Sequence, residues 1–204
     1  MRKITAGLFI SLDGVVDAPH EWHFPYFNDE MGAAVGALTT AADTLLLGRK
    51  TYEGFAEAWP DREDAGGEDA VFAKMLGDVR KVVVSGGEPK LTWRNSEPLR
   101  GEFVEAITAL KAEEGADISV SGSVSVVRQL LAHRLLDELH LLVHPIAVRS
   151  GLRLFDEGEE RIPLRLLESK TFATGVLHLV YGPEETPGEG GYDEAKAHLP
   201  QEEA

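Results

Sequence analysis

The chain has no cysteine, which excludes disulfides, thiolate metal sites and cysteine nucleophiles. Metal chemistry would have to rest on its seven histidines, and their spacing gives no ligand set. His140 and His144 fall in a strand pattern, where alternation puts both on one side about 13 Å apart at ~3.3 Å per residue, too far to share an ion. Hydrogen-bonded or surface histidines are the reading for that pair, and His20 and His23 lack a third ligand nearby. No run of about 18 apolar residues exists. The N-terminus, Met1-Arg2-Lys3-Ile4-Thr5, enters a strand pattern without an apolar leader core. A soluble, cytoplasmic protein with no membrane partner is expected. An excess of cations is also missing: the net charge is -15 and the sequence pI ≈ 4.8. That balance argues against nucleic acid as a partner and requires any anionic ligand to be held by a local positive site.

Several chemical signatures are absent as well. There is no Gly-x-Ser-x-Gly elbow, Gly86-Gly87 is followed by Glu88 rather than a phosphate-binding lysine, and no Gly-x-Gly-x-x-Gly fingerprint occurs. If a dinucleotide binds, it does so in another architecture.

What is present is enough apolar sequence, 43% of 204 residues, for one core. Residues 1–182 read as one domain. Residues 183–204 carry seven acids against one lysine and are expected to form a disordered acidic tail. Strand patterns at 3–11, 44–47, 81–84, 117–121 and 137–145 alternate with helical patterns. The helices are expected at 30–38, 49–59 (ended by Pro60), 69–76, 102–114 and 124–134, and a polar turn at 61–67. A hairpin around Thr174-Gly175 closes the domain, its strands read as sheet edges. The alternation predicts an α/β three-layer sandwich with a mostly parallel twisted sheet and a C-terminal antiparallel hairpin.

Ligands of such sheets sit beyond the strand C-termini. Here that edge collects Asp13-Gly14, Gly48-Arg49-Lys50-Thr51, Ser85-Gly86-Gly87 and Gly122-Ser123. A helix opening after Gly48 aims free N–H groups and its positive dipole end at that edge, and Arg49 and Thr51 add donors. The turn alone reads equally as an ordinary strand-to-helix connection with a solvated Arg-Lys pair. The loop from Val15 to Asp29, with Trp22, Phe24, Tyr26 and Phe27, reads either as a core plug or as stacking surface at a pocket mouth.

Taken together, Ser11-Leu12-Asp13-Gly14-Val15-Val16, the Gly48–Glu53 turn, Val83-Val84-Ser85, and Gly122-Ser123 followed by Leu135–Pro145 resemble the dihydrofolate-reductase-like superfamily. Within it the chain is most similar to the C-terminal reductase domain of the riboflavin-biosynthesis bifunctional deaminase-reductase, in a standalone form. The resemblance implies an NADPH-dependent oxidoreductase with hydride transfer of the 5-amino-6-(5-phosphoribosylamino)uracil reductase type. On it, Gly48, Arg49 and Thr51 hold the phosphates and the 2′-phosphate region, while Ser85 holds the adenosine side. Gly122, Ser123 and Val124 offer N–H groups to the pyrophosphate, and Val16 borders the nicotinamide. Asp13, Trp22 and Phe27 face a small heterocyclic substrate; no catalytic side chain is assigned. A homodimer through edge strands near Val143 is also implied. Two departures leave the substrate open: Glu53–Pro60 replaces the family's Asp-Asp-Pro-x-Leu-Thr-x-Arg stretch, and Arg149-Ser150-Gly151 replaces its Gly-Ser-Gly. A non-catalytic nucleotide- or small-molecule-binding protein on the same scaffold is the competing reading.

Overall fold

In the computed structural model, residues 1–155, 161–184 and 191–199 are described. The first half runs β1 (Ile4–Ser11), α1 (Asp29–Thr40), β2 (Ala42–Gly48), α2 (Arg49–Ala65), α3 (Ala70–Asp78), β3 (Arg80–Val84) and β4 (Ser96–Pro98). The second runs α4 (Phe103–Ala112), β5 (Asp117–Ser121), α5 (Val124–Ala132), β6 (Glu138–His144), β7 (Leu164–Thr171), β8 (Leu177–Pro183) and α6 (Tyr192–Lys196). One eight-stranded sheet results, ordered β4-β3-β2-β5-β1-β6-β8-β7. β4 through β6 are parallel, and β8 and β7 complete it antiparallel. This is the three-layer α/β architecture that the alternation predicts.

Period-2 alternation assigns the layers. Leu46 of β2 packs with Val82, Ile118 and Val120 against α5 residues Val126, Val127 and Leu130. Its neighbours Leu45 and Leu47 turn the other way, joining Val83 with Tyr52 of α2 and Leu76 of α3. α1 covers that second face further along, where Met31 packs with Phe9 and Leu142. The chain leaves β2 toward β3 and leaves β5 in the opposite direction, to β6. β2 and β5 are neighbours, so their C-terminal ends form the switch point at which open sheets bind ligands.

Local rules account for most boundaries. The Asn28 side chain accepts the Met31 amide at 3.0 Å and starts α1, as an N-cap should. Pro60 does not end α2. The helix continues to Ala65 and stops at Gly66, whose φ of 66° is left-handed. Contacts on both sides of the proline outweigh its lost hydrogen bond: Trp59 packs edge-on to Phe72 with Arg62 over its ring, and Glu63 pairs with Arg94. Residues 61–65 of the expected polar turn are therefore helical. The short edge strand β4 was not predicted, because Ser96-Glu97-Pro98 has no strand pattern of its own. β8 lies inside the sheet between β6 and β7, so of the hairpin only β7 is an edge. Val143 pairs with Ile10 on one side and Leu177 on the other, so no free edge exists near it. Of the expected tail, residues 185–190 and 200–204 lie outside the described residues, and between them Tyr192–Lys196 forms a short helix.

Candidate functional site

Along the C-terminal ends of β3, β2, β5, β1 and β6 lies a cavity of ≈ 800 Å³. Five neighbouring strands set its length at roughly 19 Å, from ~4.8 Å per strand step. All eight residues assigned to the cofactor line it: Gly48, Arg49 and Thr51 from the β2–α2 turn, Ser85 after β3, Gly122, Ser123 and Val124 before α5, and Val16 after β1.

Two helix starts meet there. Gly48 is the N-cap of α2 and has no side chain to cap with. Ser123, at the N-cap of α5, makes no capping bond to its own helix. Its hydroxyl oxygen instead accepts the amide of Gly48 at 2.7 Å. Both helices therefore keep their first-turn N–H groups clear of side-chain caps, beside an electropositive dipole end. The turns are also in steric contact. A Cβ on Gly48 would lie 3.3 Å from the Ser123 Cβ, and one on Gly122 would lie 3.4 Å from the Thr51 methyl. Gly122 and Ser123 both have left-handed backbones, with φ 65° and 61°, and two such residues in succession turn the strand sharply into the helix.

Arg49 sits at the rim, half-exposed, and pairs with Glu53 one turn on at 2.8 Å. Lys50 is the other cation on the wall, and Asp17 and His20 are its remaining titrating side chains. Glycines for close approach, two helix starts, a serine and a guanidinium over this length suit a ligand with more than one phosphate. The residues present fit a nicotinamide dinucleotide.

The three residues assigned to substrate are elsewhere. The Asp13 carboxylate accepts the Ser11 hydroxyl at 2.7 Å and the amides of Val148 and Arg149 at 3.0 and 2.8 Å. Those donors, the Ser11 hydroxyl foremost, hold its carboxyl below the ordinary range. It latches the 145–153 loop to the β1 turn, and through Val16, whose amide donates to Leu152, it fixes two wall residues. Arg149 adopts φ 72°, a left-handed conformation that favours glycine. Trp22 is buried with its indole N–H donating to the Asp17 carbonyl at 3.0 Å. Phe27 is half-exposed and lies against His23 and Gly32.

Behind the cavity, the aromatic loop plugs the core. His23 stacks on Phe9 at 4.4 Å, and Trp22, His23 and Tyr26 surround His144 edge-on. Burial, with His144 and His20 adding repulsion, pushes His23 from its ordinary 6.5 down to about 4; burial lowers His144 too. His140 forms its own contact with His178 at 3.1 Å. Among the described residues no three His, Asp or Glu side chains gather as a metal site, and no helix is long and apolar enough to cross a membrane.

Sequence reasoning missed the cavity's other half. Its floor is Gly7, Ser119 and Ser121, and its walls include Phe9, Val35, Leu38, Phe55 and Leu142. The available signal was β5 itself, where Ser119 and Ser121 alternate with buried Ile118 and Val120.

Comparison with known proteins agrees with this geometry. The family model for the RibD C-terminal domain matches residues 2–178. The uncharacterized protein YyaP of Bacillus subtilis (strain 168) is 27% identical over 181 residues, spanning 88% of this chain and 94% of YyaP. Among solved structures, a putative riboflavin biosynthesis protein from Shewanella sp. PV-4 superposes with TM-score 0.70 at 19% identity, over 91% of this chain and 100% of that one. Dihydrofolate reductase from Enterococcus faecalis, complexed with NADP(H), superposes with TM-score 0.59 at 16% identity, over 90% and 97%. At those identities the superpositions establish the dihydrofolate-reductase-like fold.

Proposed function

The chain belongs to the RibD C-terminal domain family, and on that premise we propose that it is an NADPH-dependent reductase of a small substrate. The observation that carries this reading is the hydrogen bond from Gly48 to Ser123, which holds two uncapped helix starts against one another at the sheet's switch point. Gly122, Ser123 and Val124 would receive the pyrophosphate through backbone N–H groups. Gly48, Thr51 and Arg49 would take the phosphate at the other turn, with Arg49 on the 2′-phosphate, and Ser85 the adenosine side. Val16 would press on the nicotinamide, its position fixed through the Asp13 latch. The bound dinucleotide supplies a hydride; the chain supplies position and a dry wall. Asp17 and His20, exposed on the wall in the loop after β1, are the side chains placed to pass a proton to the substrate.

Titration with NADPH, following nicotinamide fluorescence, tests the reading. Saturable binding is expected, and no binding at millimolar cofactor would end it. The replacement of the family's substrate stretch also bears on what is reduced. Here Glu53–Pro60 is continuous helix, and it sends Phe55 into the cavity instead of a cation.

A further inference from the structure

We propose that the half of the cavity between α1 and the sheet accepts an uncharged ring and excludes substrates bearing a phosphate or a carboxylate. The proposal rests on the nucleotide reading of the other half, which claims Arg49 and Lys50.

Every titrating side chain on the cavity wall lies either at the start of α2 or in the loop after β1. None lies on α1, β1, β5 or β6. The α1 wall presents Val35, Leu38 and Thr39, and the Thr39 hydroxyl donates to the Val35 carbonyl at 3.0 Å. The carboxylates of α1 are at its first turn and off the wall. One of them, Glu30, accepts the Ala173 amide at 2.7 Å and faces Lys170 on the hairpin. A protonated, amidine-bearing heterocycle would find no counter-ion on α1, β1, β5 or β6; the one carboxylate on the wall, Asp17, lies in the loop after β1. A phosphorylated sugar would find no cation on those elements: Arg49 and Lys50 lie at the dinucleotide end, and His20 lies in the loop after β1.

The shape suits a flat group. Gly7 lies so close beneath α1 that a Cβ would come within 2.8 Å of the Leu38 methyl. Leu38 thus covers Gly7, and beside it Ser119 and Ser121 line the cavity with small side chains. Phe9, Phe55 and Leu142 complete apolar sides. Burying a charge in such surroundings without a partner is unfavourable, whereas burying an apolar ring is favourable.

The matched pair coumarin and coumarin-3-carboxylate, a neutral flat bicycle and its anion, tests this by titration calorimetry with and without saturating NADPH. Coumarin is expected to bind about tenfold tighter than the carboxylate or better. Val35→Asp should weaken coumarin about tenfold while leaving the NADPH Kd within about twofold. If that variant does not fold, Val35→Thr, with the same shape and one added hydroxyl, should weaken coumarin about threefold. Equal or tighter binding of the carboxylate, no binding of coumarin, or coumarin binding untouched by either variant would overturn the proposal. Failure of NADPH to bind while the coumarin results stand would overturn the nucleotide reading alone.

Discussion

The amide of Gly48 donates to the Ser123 hydroxyl at 2.7 Å, joining two turns 75 residues apart in sequence. The bond replaces the cap that Ser123 would otherwise give its own helix, and so couples the spacing of the turns to the exposure of both helix starts. Ser123→Ala leaves the Gly48 amide unpartnered in a buried place and should cost about 1–3 kcal/mol. Ser123→Gly loses the same hydroxyl but relieves the left-handed backbone, recovering about 1 kcal/mol. Urea denaturation should rank wild type above Gly above Ala, and both variants should bind NADPH more weakly. A variant order with Ala above Gly would remove the strain argument.

Arg49 has to leave Glu53 to meet a phosphate. Arg49→Ala should weaken NADPH more than NADH, because only the former offers a 2′-phosphate. Glu53→Gln should tighten NADPH about twofold, the size of an exposed i,i+4 pair of ~0.5 kcal/mol. Equal weakening of both nucleotides by Arg49→Ala would move the 2′-phosphate to another residue.

The sequence made the sheet legible because four of its strands end in Gly, Ser or Asp turns, and because the apolar runs have strand length. The part of the cavity lined by those turns was legible for the same reason. The part lined by α1 and the strand interiors was not. Phe9, Val35, Leu38 and Leu142 read as ordinary core residues, and only tertiary packing brings them to one cavity with Ser119 and Ser121. For Asp13 the sequence showed a carboxylate in a turn at that edge but not its bonds to the Val148 and Arg149 amides, which join partners 135 and 136 residues away. Pro60 misled because the local rule against proline is outweighed by contacts made far along the chain by Trp59 and Glu63.

His23 gives the fold an acid limit. Its value falls from 6.5 to about 4 on folding, so the unfolded chain binds more protons within that window, and stability is lost as pH falls from 6.5 toward 4. His144 shifts in the same direction. The ring partners of His23 are Phe9, Phe24, Phe27 and His144, with no carboxylate among them. His23→Phe should flatten the pH dependence of the urea midpoint between 6.5 and 4. An unchanged slope would place the acid sensitivity in other groups.

Lys81 is fully buried, and its ammonium donates to the carbonyls of Leu76, Gly77 and Val79 at 2.7, 2.9 and 2.7 Å, with Trp93 4.2 Å away. It closes the C-terminal end of α3. Burial pushes it down to about 8, which leaves it mostly charged at neutral pH. Lys81→Met keeps the volume but strands carbonyls and should cost about 2–4 kcal/mol by urea denaturation. A loss below about 1 kcal/mol would mean that water replaces the ammonium.

A crystal structure of the NADPH complex tests the central claim most directly. The account predicts the pyrophosphate against the amides of Gly122, Ser123 and Val124, the 2′-phosphate at Arg49, and the nicotinamide beside Val16 with its open face toward Val35 and Leu38. A dinucleotide bound away from the two turns, or lying in the compartment between α1 and the sheet, would contradict it.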